Sequence, residues 1–341
     1  MPLIYPPMIS STITGWGHEV PDNVVTNDDL AQLVDTSDEW IRERSGIRER
    51  RHASDGETTA TMSIACSTRA LERAGVAPAD VDLVLVASSS PDYLTPPVSS
   101  QVQEGIGATH AGAMQLTVGC TGFVYALVTA QQFISTGACR TVLVVGAELT
   151  SRWMNYNDRS TCVLFGDGAG AVVVQATEAD GCGLRGHVLG SDGSGAEHLI
   201  IPVGGVAQPT TKETLAQDLG GLRMNGREVF KFATRVLGTS LQQALDKANL
   251  AVDDIDLLVP HQANARIIDF AAREAGLPPE KVVVNVDRYG NTSAASVPLA
   301  LSEAFDAGRV APGDTLALVA FGAGLTWAAA IYQMGPAPLP V

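Results

Sequence analysis

Apolar residues along this chain stand in short continuous runs, separated by stretches with helical periodicity. Thr141–Glu148 reads TVLVVGAE and Thr315–Gly322 reads TLALVAFG, so neither run alternates apolar and polar positions as a half-exposed strand would. Continuous runs of this kind are typical of strands buried on both faces of a sheet. The pattern therefore predicts an α/β protein with parallel or mixed sheets that carry helices on both sides.

Part of this pattern recurs in the second half of the chain. Leu71–Ser89 aligns without gaps with Leu245–Ala263, with six identities in 19 positions, and the two strands named above stand at the same offset. Because two separate matches share one offset, we favour a duplicated α/β unit over a chance similarity between amphipathic segments. We place the boundary in the polar segment Ala176–Cys182, which divides the chain into an N-terminal half, 1–178, and a C-terminal half, 179–341.

Composition excludes several classes of function. The 341 residues are 45% hydrophobic and 17% charged, which allows a sizeable core. With 22 basic and 37 acidic residues the formal net charge is -15, which argues against a general affinity for nucleic acid or for an anionic membrane surface. The most apolar stretch, Thr315–Tyr332, is interrupted by two glycines and fits two buried strands with a tight turn better than a membrane span.

Neither a metal nor a nucleotide cofactor is indicated. The five cysteines are scattered and form no CxxC pair, which argues against a disulfide framework and against a zinc site, and fits a reducing cytoplasm. Phe165–Ala171, FGDGAGA, resembles a piece of a nucleotide-binding loop but lacks the full GxGxxG register, so we reject a dinucleotide site.

One cysteine is a candidate nucleophile. Cys120 follows the strand-like run QLTVG and opens CTGFVYALVTAQQFI, whose apolar positions fall on one helical face. A thiol in the first turn of that helix would feel free backbone N–H groups and the positive end of the helix dipole, and both favour the thiolate. The alternative is an inert core side chain. That alternative suits three other cysteines: Cys66, Cys139 and Cys162.

A histidine and an asparagine complete a candidate site. His261 follows the predicted strand IDLLVP, where α/β folds place their chemistry, although a lone histidine can equally be a hydrogen-bonded structural residue. Asn291 lies in GNTSAAS, which read alone is a turn. The offset of the repeat sets Cys120 opposite Ala294, so it predicts that this segment lies beside the cysteine. Cysteine with histidine and asparagine suits thioester chemistry: one nucleophile and two groups that can hydrogen-bond an oxyanion or enolate.

Seven motifs together resemble the β-ketoacyl-ACP synthase III family of the thiolase-like superfamily. They are DTSDEWIRERSGIRERR, VGCTGFVYAL, NDRSTCVLFGDGAGA, MNGREVFKFA, VPHQANARII, GNTSAAS and FGAGLTW, and the resemblance runs from about Ile13 to Tyr332. It implies a five-layered αβαβα fold with two duplicated halves related by a pseudo-twofold axis. Thiolases carry a second cysteine with a histidine, and elongating ketosynthases carry two histidines, so the histidine and asparagine of this chain select the synthase III type.

The resemblance implies a two-step mechanism without a cofactor. Cys120 takes the acyl group from an acyl-CoA primer, and malonyl-ACP then loses CO2. His261 and Asn291 stabilise the resulting enolate, and the backbone N–H groups of Cys120 and Ala323 form the oxyanion hole. The family often has glycine at position 323, but alanine keeps the N–H group.

Substrate contacts also follow from the resemblance. It assigns Trp40, Arg44 and Arg159 to the adenine nucleotide of CoA, and Phe230 and Asn264 to the pantetheine channel. An aromatic face with arginines suits adenine, whereas core packing and surface ion pairing are the ordinary roles of such side chains. Four basic residues fall in segments that border the channel mouth in the family: Arg227, Lys231, Arg266 and Arg273. They are candidates for docking an acidic carrier protein, and the alternative is a solvated helix face with scattered charges.

The acyl pocket is expected to involve a second subunit. In the family the loop that carries Thr95 reaches into the acyl pocket of the partner in a homodimer, and a small residue there hints at a primer longer than acetyl. His198–Thr211 is a second segment that could close the pocket.

Other functions stay open at this point. They are a starter-unit ketosynthase or acyltransferase of a secondary, polyketide-type pathway, a thiol hydrolase that uses Cys120 with His261, and a duplicated scaffold that only binds an acyl carrier.

Overall fold

The computed structural model describes residues 9–217 and 219–336, which form strands, α-helices and short 3-10 turns. The strands are β1 (Ser10–Glu19), β2 (Val24–Thr26), β3 (Glu49–Arg51), β4 (Leu83–Ala87), β5 (Gly112–Leu116), β6 (Thr141–Leu149), β7 (Asp167–Thr177), β8 (Gly183–Ser191), β9 (Leu199–Ile200), β10 (Arg223–Met224), β11 (Leu257–Pro260), β12 (Thr315–Gly322) and β13 (Thr326–Gln333). The α-helices are α1 (Asn27–Ala31), α2 (Asp38–Ser45), α3 (Thr59–Ala74), α4 (Val98–Gly105), α5 (Gly122–Ser135), α6 (Lys212–Ala216), α7 (Gly226–Ala248), α8 (Ala265–Glu274), α9 (Val286–Tyr289) and α10 (Ser296–Asp306).

Two mixed sheets of matching topology form the centre. The first has the order β1-β7-β6-β4-β5 and the second the order β8-β13-β12-β11. β4 is parallel to β6 in the first sheet, as β11 is to β12 in the second. The pairings of β6 with β7 and of β7 with β1 are antiparallel, as are those of β12 with β13 and of β13 with β8. The first sheet also has β5, which is parallel to β4. Every residue of β6 and of β12 is buried, as their continuous apolar sequences predict.

Helices and sheets alternate in five layers. α3 and α4 cover the outer face of the first sheet, and α7 covers the outer face of the second, with α8 beside it. α5 and α10 lie between the sheets and share one apolar core with both. The five-layered αβαβα fold is therefore confirmed. Among the helices of the described residues, none has the length and apolar character needed to cross a membrane.

The outer helices begin and end with local signals that the sequence carries. Thr58 caps α3 by accepting the N–H of Thr61, and Gly75 ends that helix in the left-handed conformation with a φ of 65°. At the equivalent end of α7, Asn249 takes the left-handed conformation, which asparagine tolerates better than most residues.

The middle helix α5 differs from its prediction. The sequence predicts one apolar face, but α5 is buried around most of its circumference, because it is enclosed by sheets and by α10 rather than lying on a surface. A 3-10 turn precedes each middle helix, Gly119–Thr121 before α5 and Ser293–Ala295 before α10. These turns stand at the offset of the repeat and pack against each other, which is the juxtaposition that the repeat predicts.

Candidate active site

Cys120 lies in the turn between β5 and α5, where backbone from the other half of the chain packs against it. A Cβ added to Gly322 would lie 2.8 Å from the Cys120 nitrogen, and one added to Gly119 would lie 3.3 Å from the Ala323 nitrogen. Gly119 also has a φ of +59°, which only glycine adopts at little steric cost. The glycines of VGC and FGAG therefore allow the close approach of two backbone segments at the cysteine.

The surroundings of Cys120 favour the thiol over the thiolate. The residue is 6% exposed, and burial raises the pKa of the thiol to about 11. A hydrogen bond from Ser293 Oγ to Sγ, at 3.4 Å, favours the thiolate less strongly, while the nearby carboxyl of Glu148 opposes it. Burial therefore opposes the thiolate that the helix N-terminus favours, because it shields Cys120 from water.

His261 follows β11 directly and is 2% exposed. Burial lowers the pKa of its imidazole to about 3, so the ring is neutral at physiological pH. Nδ1 lies 2.5 Å from Ser296 Oγ, and that oxygen also accepts the N–H of Gln262 at 3.4 Å. We assign the serine proton to Nδ1, because the hydroxyl then donates one hydrogen bond and accepts another, and this assignment leaves the ring hydrogen on Nε2. A neutral ring in this tautomer can donate a hydrogen bond to a ligand.

Asn291 is held by hydrogen bonds from its backbone and from its side chain. Its backbone N–H donates to Leu164 O at 2.8 Å, and its backbone oxygen accepts the N–H of Gly166 at 3.0 Å. Its side-chain Oδ1 accepts the N–H of Ser293 at 2.8 Å, so the Nδ2 group is the part of the amide that can donate to a ligand.

These three residues line one cavity of about 310 Å³. Its other walls are mostly apolar and come from α2, the segment before β7, α7, α8 and the end of β12. The structure thus brings together Cys120, His261 and Asn291, of which the first belongs to the N-terminal half of the sequence and the others to the C-terminal half. Leu199, from the segment that the sequence proposed as a second closure of the pocket, also lines this cavity.

The predicted nucleotide residues form one cluster. Trp40 and Arg44 line the cavity, and the guanidinium carbons of Arg44 and Arg159 lie 4.7 Å and 5.0 Å from the centroid of the Trp40 ring. Arg159 also forms an ion pair with Asp35 Oδ2 at 3.3 Å, so the surface ion pairing named as the alternative to nucleotide binding is present as well. The predicted channel residues Phe230 and Asn264 line the same cavity.

Three of the four predicted docking residues lie near the cavity, and the fourth does not. Arg227 and Lys231 are exposed in the first two turns of α7 and Arg266 in the first turn of α8, next to cavity-lining residues of those helices. Arg273 is exposed in the last turn of α8, away from that edge. Thr95 is exposed and does not line the cavity of its own chain, which leaves its predicted role in a second subunit a prediction.

Three site residues were missed by sequence reasoning: Glu148, Ser293 and Ser296. Glu148 carried a usable signal, because a carboxylate at the end of a fully apolar strand has to be held by specific partners. The two serines had none, since GNTSAAS does not show which hydroxyl faces which side chain. Within residues 9–217 and 219–336, no three or more His, Cys, Asp or Glu side chains are grouped so that they could hold a metal ion.

Comparison with known protein families identifies two matching segments. Residues 114–193 match the model of 3-oxoacyl-[acyl-carrier-protein (ACP)] synthase III, and residues 245–334 match the C-terminal model of the same enzyme. The first segment contains Cys120, and the second contains His261 and Asn291.

Individual proteins are similar over nearly the whole chain. The β-ketoacyl-[acyl-carrier-protein] synthase III of Symbiobacterium thermophilum is 51% identical over 323 residues, which cover 95% of this chain and 98% of the relative. The crystal structure of the Thermus thermophilus β-ketoacyl-[acyl-carrier-protein] synthase III is 48% identical, with a TM-score of 0.88 and coverage of 95% and 99%. The priming β-ketosynthase of the R1128 polyketide biosynthetic pathway is 37% identical, with a TM-score of 0.89 and coverage of 99% and 100%.

Proposed function

Because the chain belongs to the 3-oxoacyl-[acyl-carrier-protein] synthase III family, it is an acyl-transferring condensing enzyme, and we propose the reaction that its site performs. That reaction is the decarboxylative Claisen condensation of an acyl-CoA primer with malonyl-ACP, which initiates fatty-acid synthesis. The observation that carries the proposal is that a cysteine, a neutral histidine and an asparagine line one apolar cavity.

In the first half-reaction the sulfur of Cys120 attacks the thioester carbonyl of the primer, and CoA leaves as its thiolate. The carbonyl oxygen becomes an oxyanion, which the backbone N–H groups of Cys120 and Ala323 stabilise. The close packing of Gly119 on Ala323 and of Gly322 on Cys120 supports this assignment, because it fixes both N–H groups in rigid turns. Loss of one such donor typically lowers the rate by about 10² to 10³.

In the second half-reaction malonyl-ACP loses CO2 and leaves a thioester enolate. His261 Nε2 and Asn291 Nδ2 donate hydrogen bonds to the enolate oxygen, and the enolate carbon attacks the acyl group on Cys120. Neutrality of His261 suits this role, because a charged imidazolium would be costly to hold in the apolar cavity. We propose no cofactor, since the loss of CO2 generates the carbanion and the chain supplies every hydrogen-bond donor.

Substrate binding follows the shape and charge of the cavity. The adenine would stack on the Trp40 ring in place of one of the two guanidinium groups of Arg44 and Arg159, and the other arginine would then be available to the phosphate groups. Pantetheine would follow the apolar wall past Phe230 and Asn264 to the thiol. An acidic carrier protein would meet the exposed arginines and lysine at the start of α7 and α8, a local basic edge on a chain of net charge -15.

We propose that the enzyme works as a homodimer in the cytoplasm. β5 is an edge strand of the first sheet, and Met114 in this strand is exposed, as are Tyr93 and Leu94 in the loop before α4. An uncovered edge strand beside exposed apolar side chains is a natural site for pairing with a second copy. Pairing through β5 would also bring the loop of Thr95 toward the partner. The reducing cytoplasm suits a chain with five unpaired cysteines.

A starter-unit ketosynthase of a polyketide-type pathway is the second candidate. The similarity to the R1128 priming ketosynthase supports it. Both candidates share the chemistry above and differ in the primer and the carrier.

Intact-mass measurement with a panel of acyl-CoAs tests both candidates. We expect one acyl adduct on the wild-type protein, no adduct on Cys120→Ala, and a set of accepted primers that distinguishes straight or branched fatty-acid primers from unusual starter units. His261→Ala and Asn291→Ala should still form the adduct but release CO2 from malonyl-ACP at least about 10²-fold more slowly.

Three results would contradict the proposal. An unchanged protein mass with every primer would remove the nucleophilic role of Cys120 and favour the scaffold. Rapid hydrolysis of the adduct without malonyl-ACP would favour the thiol hydrolase. Normal CO2 release by both the histidine and the asparagine variants would remove their roles in decarboxylation.

A further inference from the structure

A buried carboxylate beside the nucleophile has no role in the reaction as proposed. Glu148, near the end of β6, is 0% exposed. Its Oε1 accepts the N–H of Ser89 at 3.0 Å, and its Oε2 accepts the N–H of Ser90 at 3.0 Å and the hydroxyl of Ser90 at 2.6 Å. Burial nevertheless raises the pKa of this carboxyl to about 7. A carboxyl with a pKa near the working pH can both accept and return a proton.

Ser293 connects this carboxylate to the reacting sulfur. Its Oγ lies 3.4 Å from Cys120 Sγ and 3.3 Å from Glu148 Oε1. Ser293 has a φ of 51°, and its N–H donates to Asn291 Oδ1. This backbone turn fixes the position of the hydroxyl between the thiol and the carboxylate.

A single hydroxyl proton allows two arrangements of this chain. When the sulfur is a thiol, S–H donates to Ser293 Oγ and the serine hydroxyl donates to Glu148. When the sulfur is a thiolate, the serine hydroxyl donates to the sulfur and a protonated Glu148 donates to the serine. The two arrangements differ by the transfer of one proton along the chain.

Few other ionisable groups face Glu148. The segment after β4 consists of uncharged Ser88, Ser89 and Ser90, and the turn of residues 119–121 contributes only Cys120. On β7, Gly168 is the register partner of Glu148, while Asp167 pairs with Leu149 and accepts the N–H groups of Ala53 and Ser151. Since neighbouring residues of a strand point to opposite faces, the Asp167 carboxylate lies on the other side of the sheet.

We propose that Ser293 and Glu148 form a proton relay that accepts the proton of Cys120 during acylation and returns it during condensation. The relay rests on the proposed function. Ser293 contacts the reacting sulfur, and Glu148 acts through Ser293 as a positioning residue and proton acceptor.

Protons and bonds balance over the two half-reactions. In acylation the sulfur bonds the carbonyl carbon, its proton passes to Ser293 Oγ, and the serine proton passes to Glu148 Oε1. The C–S bond to CoA then breaks, and the CoA thiolate takes a proton from water. In condensation the C–S bond to Cys120 breaks, the departing sulfur takes a proton from Ser293, and Glu148 replaces it. Each cycle leaves Glu148 as the carboxylate.

The relay answers the problem that the buried thiol poses. With a pKa of about 11, only about one thiol in 10⁴ would be ionised at pH 7, so a thiolate formed by exchange with water would be scarce. A positioned acceptor with a pKa near 7 allows proton transfer to occur as the sulfur attacks, and general-base assistance of this kind contributes about 10² to 10⁴ in rate.

The test measures the pH dependence of Cys120 reactivity in the whole enzyme. Single-turnover acylation by an accepted acyl-CoA and alkylation by iodoacetamide, located at Cys120 by peptide mass, are followed between about pH 5.5 and 10. For the wild type we expect both rates to rise through about pH 7 and then level off as Glu148 ionises. For Ser293→Ala we expect both rates to fall about 10²-fold at pH 7 and to recover only in alkaline solution, where the thiol ionises by itself.

Ser293→Gly is the second variant, because it removes the hydroxyl while relieving the left-handed backbone at φ 51°. Glu148→Gln should show the same alkaline shift. Ser302→Ala is the matched control: it deletes the hydroxyl of a buried serine elsewhere, hydrogen-bonded to His18 at 2.9 Å, and should keep the wild-type profile.

Rates of the Ser293 variants within about threefold of wild type, or a uniform fall without a shift of the profile, would overturn the relay. Iodoacetamide needs no acyl-CoA, so it separates the two proposals. Absence of an acyl adduct with an alkaline shift in alkylation would defeat the proposed function and keep the relay, whereas normal acylation with an unshifted profile would do the reverse.

Discussion

Replacing Ser296 with alanine should slow decarboxylation and leave acylation intact. The hydroxyl of Ser296 lies 2.5 Å from His261 Nδ1 and, by the assignment above, donates to it. That bond favours the tautomer whose hydrogen is on Nε2, the atom proposed to donate to the enolate. Without the hydroxyl, Nδ1 is left as a buried acceptor and the other tautomer, in which Nε2 cannot donate, gains population.

The size of the effect follows from the burial of both partners. His261 is 2% exposed and Ser296 is 1% exposed, so water does not readily replace the lost hydroxyl. A neutral hydrogen bond of this kind contributes about 0.5 to 1.5 kcal/mol, and an unsatisfied buried acceptor costs about 1 to 3 kcal/mol. If about 1.4 kcal/mol of tautomer preference is lost, decarboxylation slows about tenfold.

The assay begins with enzyme that has been fully acylated and measures CO2 release from malonyl-ACP in a single turnover. Acylation is measured separately by intact mass and should stay within about twofold of wild type. Ser302→Ala is again the control, since Ser302 lies on the same helix α10 and also pairs with a histidine Nδ1, that of His18, outside the cavity. Unchanged CO2 release by Ser296→Ala, or an equal loss in both variants, would refute the role of Ser296 in setting the tautomer.

Two further changes probe the walls of the site. Gly322→Ala would place a Cβ 2.8 Å from the backbone nitrogen of Cys120, so we expect the free energy of unfolding to fall by about 1 to 3 kcal/mol and acylation to slow at least about 10²-fold. Chemical denaturation measures the first effect and intact mass the second, and the control Gly238→Ala, whose new Cβ has nothing within 4 Å, should show neither. Acylation at the wild-type rate by Gly322→Ala would contradict the close packing. Thr95→Phe should shift the accepted primers toward shorter acyl chains in a competition between acyl-CoAs, and an unaltered profile would show that another segment, such as the one containing Leu199, limits the pocket.

The order of the elements and the three residues of the proposed chemistry are already readable in the sequence. A continuous apolar run has to be buried on both faces, so β6 and β12 could be recognised without coordinates. The offset that these strands share with the other repeated segment then predicted that GNTSAAS lies beside Cys120, because two copies of one unit place equivalent turns at equivalent points. Such inferences depend on local pattern and on repetition, which a linear sequence records.

The protonation state of the site and its supporting residues were decided by tertiary structure alone. Ser293 and Cys120 are separated by 173 residues, and Ser293 and Glu148 by 145, so no local pattern shows that one hydroxyl lies between a thiol and a carboxyl. The helix that follows Cys120 favours a thiolate, but the second half of the chain covers the thiol and removes the water that would stabilise the charge, which raises its pKa instead. Burial is a property of the assembled layers, and it determines which groups at this site carry charge and which carry protons.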